Sequence, residues 1–138
     1  MNDLNQKNVL LSQRITQLCL FLFAAIAIFG GVLQMYLGEP DTSPRLDNIH
    51  RFLAGIYLTS GIISLWTALK IRKQNTLVYL IALGGLLGGT GRLISMQIVG
   101  LPEPNTLWLA YLSSEIVLPI IIIVAHTMTN RKVNSNRG

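Results

Sequence analysis

Four long apolar stretches, 15–37, 51–69, 77–99 and 106–126, divide the chain. Each is bounded by charge, Pro, Asn or Gly. Each is close to the roughly 20 residues with which a helix crosses about 30 Å of hydrocarbon. A helix is also the form in which such a stretch satisfies its own backbone polar groups inside lipid. The connections are too short to hold a soluble domain or a low-complexity segment. The pattern predicts an all-α fold, a single four-helix transmembrane domain running up-down-up-down.

Composition agrees. Of 138 residues, 51% are hydrophobic and only 12% charged, with a mean hydropathy of +0.50, which excludes an ordinary soluble domain. The lone cysteine, Cys19, excludes an internal disulfide and leaves the redox compartment open. A cleaved signal peptide is a rival for the first stretch, because Lys7 and Arg14 precede it and Ala25-Ile26-Ala27 resembles a cleavage site. The uncharged run continues through FGGVLQMYL, well beyond a signal peptide's apolar region, so retention is expected.

Charge sets an expected orientation. Lys7, Arg14, Lys70, Arg72, Lys73, Arg131, Lys132 and Arg137 fall on one side, against Arg45 and Arg51 on the other. The second side also holds Glu39, Asp41, Asp47 and Glu103. Both termini are therefore expected in the cytoplasm. The net charge of +5 comes from residues flanking apolar spans, where they meet anionic headgroups. Membrane lipids, and not nucleic acid, are the partners this implies.

Within the spans, Arg92 and Glu115 carry the chemistry, because an unpaired charge in hydrocarbon costs at least a few kcal/mol. Arg92 lies seven residues from the outer end of the third stretch and Glu115 nine into the fourth, depths of roughly 10 and 13 Å. Antiparallel neighbours joined by a short loop bring such residues together, so an ion pair is expected. It serves either to lock helix register or to build a functional site.

Other polar and small residues recur at compatible depth. His50, Ala54, Tyr57, Gly61 and Ser64 form one face of the second helix. The third offers Gly84, Gly88, Gly91 and Ser95, the fourth Trp108, Tyr111 and Pro119, and the first Gly30 and Gln34. A pocket in the outer half of the bundle is expected from Arg92, Glu115, Tyr57, Arg51, His50, Gln34, Ser95 and Tyr111. The inner half, with runs such as IIIIVA and CLFLFAAIAIF, is expected to be plainer and to offer little chemistry.

Each residue also has a plainer explanation. Gly84/Gly88 and Gly85/Gly89 suit close helix packing in lipid. Asp47 or Asn48 suits a cap on the second helix, with Asp47 pairing to Arg51 at i+4 and His50 beside them at the helix entrance. Trp108 and Tyr111 suit an interfacial belt, Pro119 a kink and His126 the inner boundary of the fourth helix.

The segments LDNIHRFLAGIYLTSG and GGLLGGTGRLISMQIVGLPEP, with a Glu in the fourth helix, resemble the bacterial membrane family called domain of unknown function 4345. More remotely the chain resembles DoxX-like four-helix membrane proteins. The carrying residues are Arg51, Gly55, Tyr57, Gly91, Arg92, Gly100, Pro102 and Glu115, and the resemblance covers about residues 31–126. It implies a four-helix protein of the bacterial inner membrane and brings no activity.

No Cys pair, haem arrangement, metal-ligand spacing, P-loop, dinucleotide fingerprint or Gly-x-Ser-x-Gly occurs, so no cofactor or metal is expected. Three functions fit. One is a binding or accessory protein for a lipid-like or amphiphilic small molecule, with Arg92 clamping an anionic group. Another is an enzyme on a lipophilic substrate, with Glu115, Tyr57 and His50 as catalytic candidates. The third is a proton-coupled multidrug exporter using Glu115, disfavoured by its Arg partner. A homo-oligomer or a structural subunit of a membrane complex is also compatible. The topology has a direct test: a cysteine placed within 70–75 should resist a membrane-impermeant label applied from outside, and labelling there would reverse the assigned orientation.

Overall fold

The computed structural model describes residues 3–135, with side chains from Leu11 onward. Arg137 and the side chain of Lys7, both counted among the basic flanks, lie outside the described residues. Four helices follow one another: α1 (Asp3–Leu37), α2 (Pro44–Leu69), α3 (Asn75–Val99) and α4 (Asn105–Ser135). A 3-10 turn, Ile71–Lys73, links α2 to α3. All four helices are long and apolar enough to cross a membrane, and the protein is an integral membrane protein.

Capping residues account for the helix ends better than apolar-run length does. Gly38, at φ 66, closes α1 by returning its N–H to the Gln34 carbonyl at 2.9 Å. Ser43 caps α2, its Oγ accepting from the Leu46 N–H at 3.3 Å, and Pro44 occupies the first turn. The expected caps, Asp47 and Asn48, are therefore inside α2, and so is His50, expected at its entrance. Arg51 and Asp47 do pair, at 2.9 Å. Likewise α1 begins well before residue 15 and α4 continues past His126 to Ser135. A helix leaving the hydrocarbon keeps its internal hydrogen bonds, so a change in polarity marks the lipid boundary and not the helix end.

Consecutive helices are antiparallel. Residues 31 and 58, 61 and 28, 92 and 115, and 79 and 127 meet across them. Around the bundle the order is α2, α1, α4, α3, and α2 touches α3 only sparsely. We call the end carrying connections 38–43 and 100–104 the hairpin end, and the end near both termini the terminal end. Cys19, Leu20, Ala68, Val78, Ala82 and Ile122 form the buried apolar core, nearer the terminal end. Large apolar side chains such as Phe29, Leu87 and Ile98 point outward, as lipid permits.

Small residues set how closely the backbones approach. A Cβ added at Gly31 would stand 2.7 Å from the Leu58 backbone nitrogen, and one at Gly61 2.8 Å from that of Ile28. Of the two overlapping glycine pairs on α3, Gly85 and Gly89 meet Pro119 and Ile116 of α4, whereas Gly84 and Gly88 have nothing within 4 Å. Only one pair packs within the bundle. Gly31→Ala should therefore lower the melting temperature in detergent, by the equivalent of about 1–3 kcal/mol of overpacking. Gly88→Ala should leave it unchanged or slightly raised, since an open helical position gains roughly 0.5–1 kcal/mol from Ala. Equal effects at the two positions would refute this assignment of packed and open faces.

Candidate functional site

Arg92 and Glu115 meet. The guanidinium Nε of Arg92 donates to Glu115 Oε2 at 2.7 Å, the short distance of a charge-assisted bond. Glu115 is 7% exposed at its side chain and Arg92 26%, so the carboxylate is the buried member and the guanidinium reaches the surface of the site. Two features bring them together. Gly89, one turn before Arg92, lets the α3 backbone lie against Glu115: an added Cβ would be 3.4 Å from Glu115 Cβ. Pro119, buried in α4, has no N–H for the carbonyl of Glu115 four residues back, which loosens the helix there.

Aromatic side chains complete the setting. Trp108, Tyr111 and Glu115 recur at steps of three and four on one face of α4. The Arg92 guanidinium carbon stands 5.3 Å from the Trp108 ring centroid and 5.5 Å from that of Tyr111, within cation–π range of both. Trp108 is itself tied to the connection, donating its Nε1–H to the Glu103 carbonyl at 3.2 Å. These two rings serve the guanidinium, beyond the interfacial belt expected of them. Among the described residues, no acceptor takes the Nη hydrogens of Arg92.

The other helices reach the same place. Tyr57 of α2 lies against α1 at Gly30, where an added Cβ would be 3.3 Å from Tyr57 Cε1 and 4.0 Å from the Tyr111 hydroxyl. Tyr57 is half-buried and within electrostatic reach of Glu115, Arg92 and Tyr111. All four helices therefore contribute to one cluster: Gly30, Tyr57, Arg92, and the α4 group of Trp108, Tyr111 and Glu115. Around the cluster, the family model described as Domain of unknown function (DUF4345) matches residues 15–126. The chain belongs to this family. No curated protein and no solved structure matches it. Membership in DUF4345 carries no activity, so chemistry has to come from the side chains themselves.

Not every expected residue joins the cluster. Arg51 is committed elsewhere: besides Asp47, it donates to the carbonyls of Met35, Tyr36 and Leu37 and so caps the end of α1. His50 is half-buried at the same end, in electrostatic reach of Asp47. It lies seven residues, about 10 Å, along α2 from Tyr57. Gln34 is half-buried one turn beyond Gly30, and Ser95 is exposed one turn beyond Arg92. Among the described residues, no group of three His, Cys, Asp or Glu side chains could hold a metal ion.

The terminal half of this DUF4345 chain is not plain, contrary to expectation. Asn75 Oδ1 accepts from Asn130 Nδ2 at 2.7 Å and lies 2.8 Å from His126 Nε2. Asn130 Nδ2 also approaches the Tyr79 hydroxyl, which is 3.0 Å from Thr127 Oγ1. The Tyr79 and His126 rings pack edge to face with centroids 5.1 Å apart. His126, expected as a boundary residue, is 4% exposed within α4 and forms part of this net. The signal was present as Asn75 and Tyr79 on α3, with His126 and Asn130 on α4, each pair one turn apart. Neutral polar groups interrupt a hydropathy profile only weakly, so the net leaves little trace in it.

Proposed function

We propose that the protein is a binding or accessory protein of the bacterial inner membrane, with both termini in the cytoplasm. Its hairpin-end cluster accepts a lipid-like or amphiphilic small molecule by an anionic group. One observation carries this reading: Arg92 gives its Nε–H to Glu115 and lies against the adjacent rings of Trp108 and Tyr111, while its Nη edge has no acceptor among the described residues. A guanidinium fixed at one edge and open at the other is prepared to take a carboxylate or phosphate oxygen pair. Its orientation is already set by Glu115 and the rings, so less freedom is lost on binding. Because Glu115 balances one positive charge, the site favours a singly charged carboxylate or phosphodiester over a dianion. The hydroxyls of Tyr57 and Tyr111 supply neutral donors beside it. The sparse contact between α2 and α3 supports entry from the side, through lipid.

The ion pair weighs against proton-coupled export, since a carboxylate that carried protons would have to break its bond to Arg92 in every cycle. An enzyme acting on a lipophilic substrate is the second function with support, from Tyr57 and Glu115 standing in one cluster within electrostatic range of each other. Native mass spectrometry of the detergent-purified chain separates these. Wild type should retain an anionic amphiphile, Arg92→Gln should lose it, and Arg92→Lys, lacking the fork, should hold it more weakly. Identical bound molecules in wild type and Arg92→Gln would overturn the proposal. Chemical conversion of the retained molecule, stopped by Tyr57→Phe without loss of binding, would favour the enzyme.

A further inference from the structure

A second feature lies at the opposite end of the bundle, in the seam between α1 and α4. Leu11 and Ile15 face Ile121, Val124 and Met128 across a groove of about 390 Å³, and Lys132 closes one end of it. The α4 members recur every three or four residues and form a single stripe. From Ile120 to Lys132 the stripe rises twelve residues, about 18 Å. One leaflet offers about 15 Å of hydrocarbon, so the groove matches the depth of a single acyl chain. Ser12, the wall's hydroxyl, is 2.7 Å from Thr129 Oγ1, a contact within the protein.

We propose that this groove binds an anionic phospholipid, with one acyl chain along the stripe and the phosphate at Lys132 Nζ. Apolar walls alone would take any chain, and the choice of headgroup comes from charge. From Leu11 to Leu37, α1 contains no acidic residue, and α4 contains only Glu115, seventeen residues or about 25 Å away from Lys132. Lys132 therefore has no counter-charge on the described groove walls. Arg14 and Arg131, both exposed, add positive potential at the same end. A half-buried Lys extends its stem along apolar surface and presents its ammonium at the lipid headgroup level. Basic pockets between membrane helices hold acidic headgroups in this way. A second copy of the chain is a poorer occupant, because two-fold pairing through the groove would bring Lys132 towards its own copy.

The site is separate from the Arg92 cluster and is tested separately. The delipidated full-length protein, in a nonionic detergent, is titrated with dioleoylphosphatidylglycerol or dioleoylphosphatidylcholine, and bound lipid is counted by native mass spectrometry. Wild type should hold phosphatidylglycerol more tightly than phosphatidylcholine. Lys132→Gln should weaken phosphatidylglycerol about fivefold, the contribution of one basic residue near a membrane surface, and leave phosphatidylcholine unchanged. Val124→Trp, which fills the groove, should weaken both, with helicity checked by circular dichroism. Lys73→Gln, at the same end of the bundle but outside the groove, should retain the phosphatidylglycerol. Three results would each overturn the proposal: no preference between the lipids in wild type, a preference that survives Lys132→Gln, or oleate displacing phosphatidylglycerol at equal concentration.

Discussion

A guanidinium and a carboxylate 2.7 Å apart inside an apolar bundle determine much of what surrounds them. Neither charge tolerates hydrocarbon alone, so α3 and α4 must present them at the same depth and on facing sides. That requirement explains why Gly89, and not a larger residue, stands one turn before Arg92, and why α4 carries Trp108 and Tyr111 on the face of Glu115. It also explains the unequal burial of the pair. The carboxylate is enclosed, while the guanidinium side chain stays partly accessible.

The rest of the bundle is arranged around that constraint. Gly31 and Gly61 draw α1 against α2, which brings Tyr57 over Gly30 and into the range of the pair. Arg51 closes α1 from the side of α2, fixing the hairpin-end connection without entering the site. At the terminal end a neutral network of Asn75, Asn130, Tyr79, Thr127 and His126 joins α3 to α4. The α3–α4 pair is thus fastened by an ion pair at one end and by uncharged hydrogen bonds at the other, with the Gly85 and Pro119 contact between them. Neutral bonds fasten helices without the desolvation penalty of charge. The end holding the charged pair is therefore the one whose composition calls for a purpose beyond fastening.

Much of this was legible in the residues. Four spans follow from apolar length, and the contact of Arg92 with Glu115 follows from depth, short connection and the cost of a lone charge. Tyr57 and Tyr111 were placed by helical periodicity. What escaped was governed by terms that hydropathy does not contain. The start of α2 at Pro44 depends on the Ser43 cap, and the length of α4 beyond His126 depends on backbone hydrogen bonding. Arg51 was drawn away by unsatisfied carbonyls at the end of α1, which no side-chain pattern records. The Asn75 network is built from residues whose meaning appears only once α3 and α4 are side by side. Which of the two glycine pairs packs depends on helix rotation, and both pairs are equivalent on paper.

The central claim is that Arg92 and Glu115 satisfy one another and that their arrangement serves binding as well as stability. A double-mutant cycle in detergent tests it most directly, with thermal stability and ligand retention followed for Glu115→Gln, Arg92→Gln and the double variant. Breaking a buried pair by removing one partner costs about 3–5 kcal/mol, with part of that recovered when both are removed. Both single variants should lose stability, with a coupling of roughly 0.5–3 kcal/mol, and the partly restabilised double variant should retain no ligand. Strictly additive losses would contradict the pairing, and full ligand retention in the double variant would contradict its role in binding.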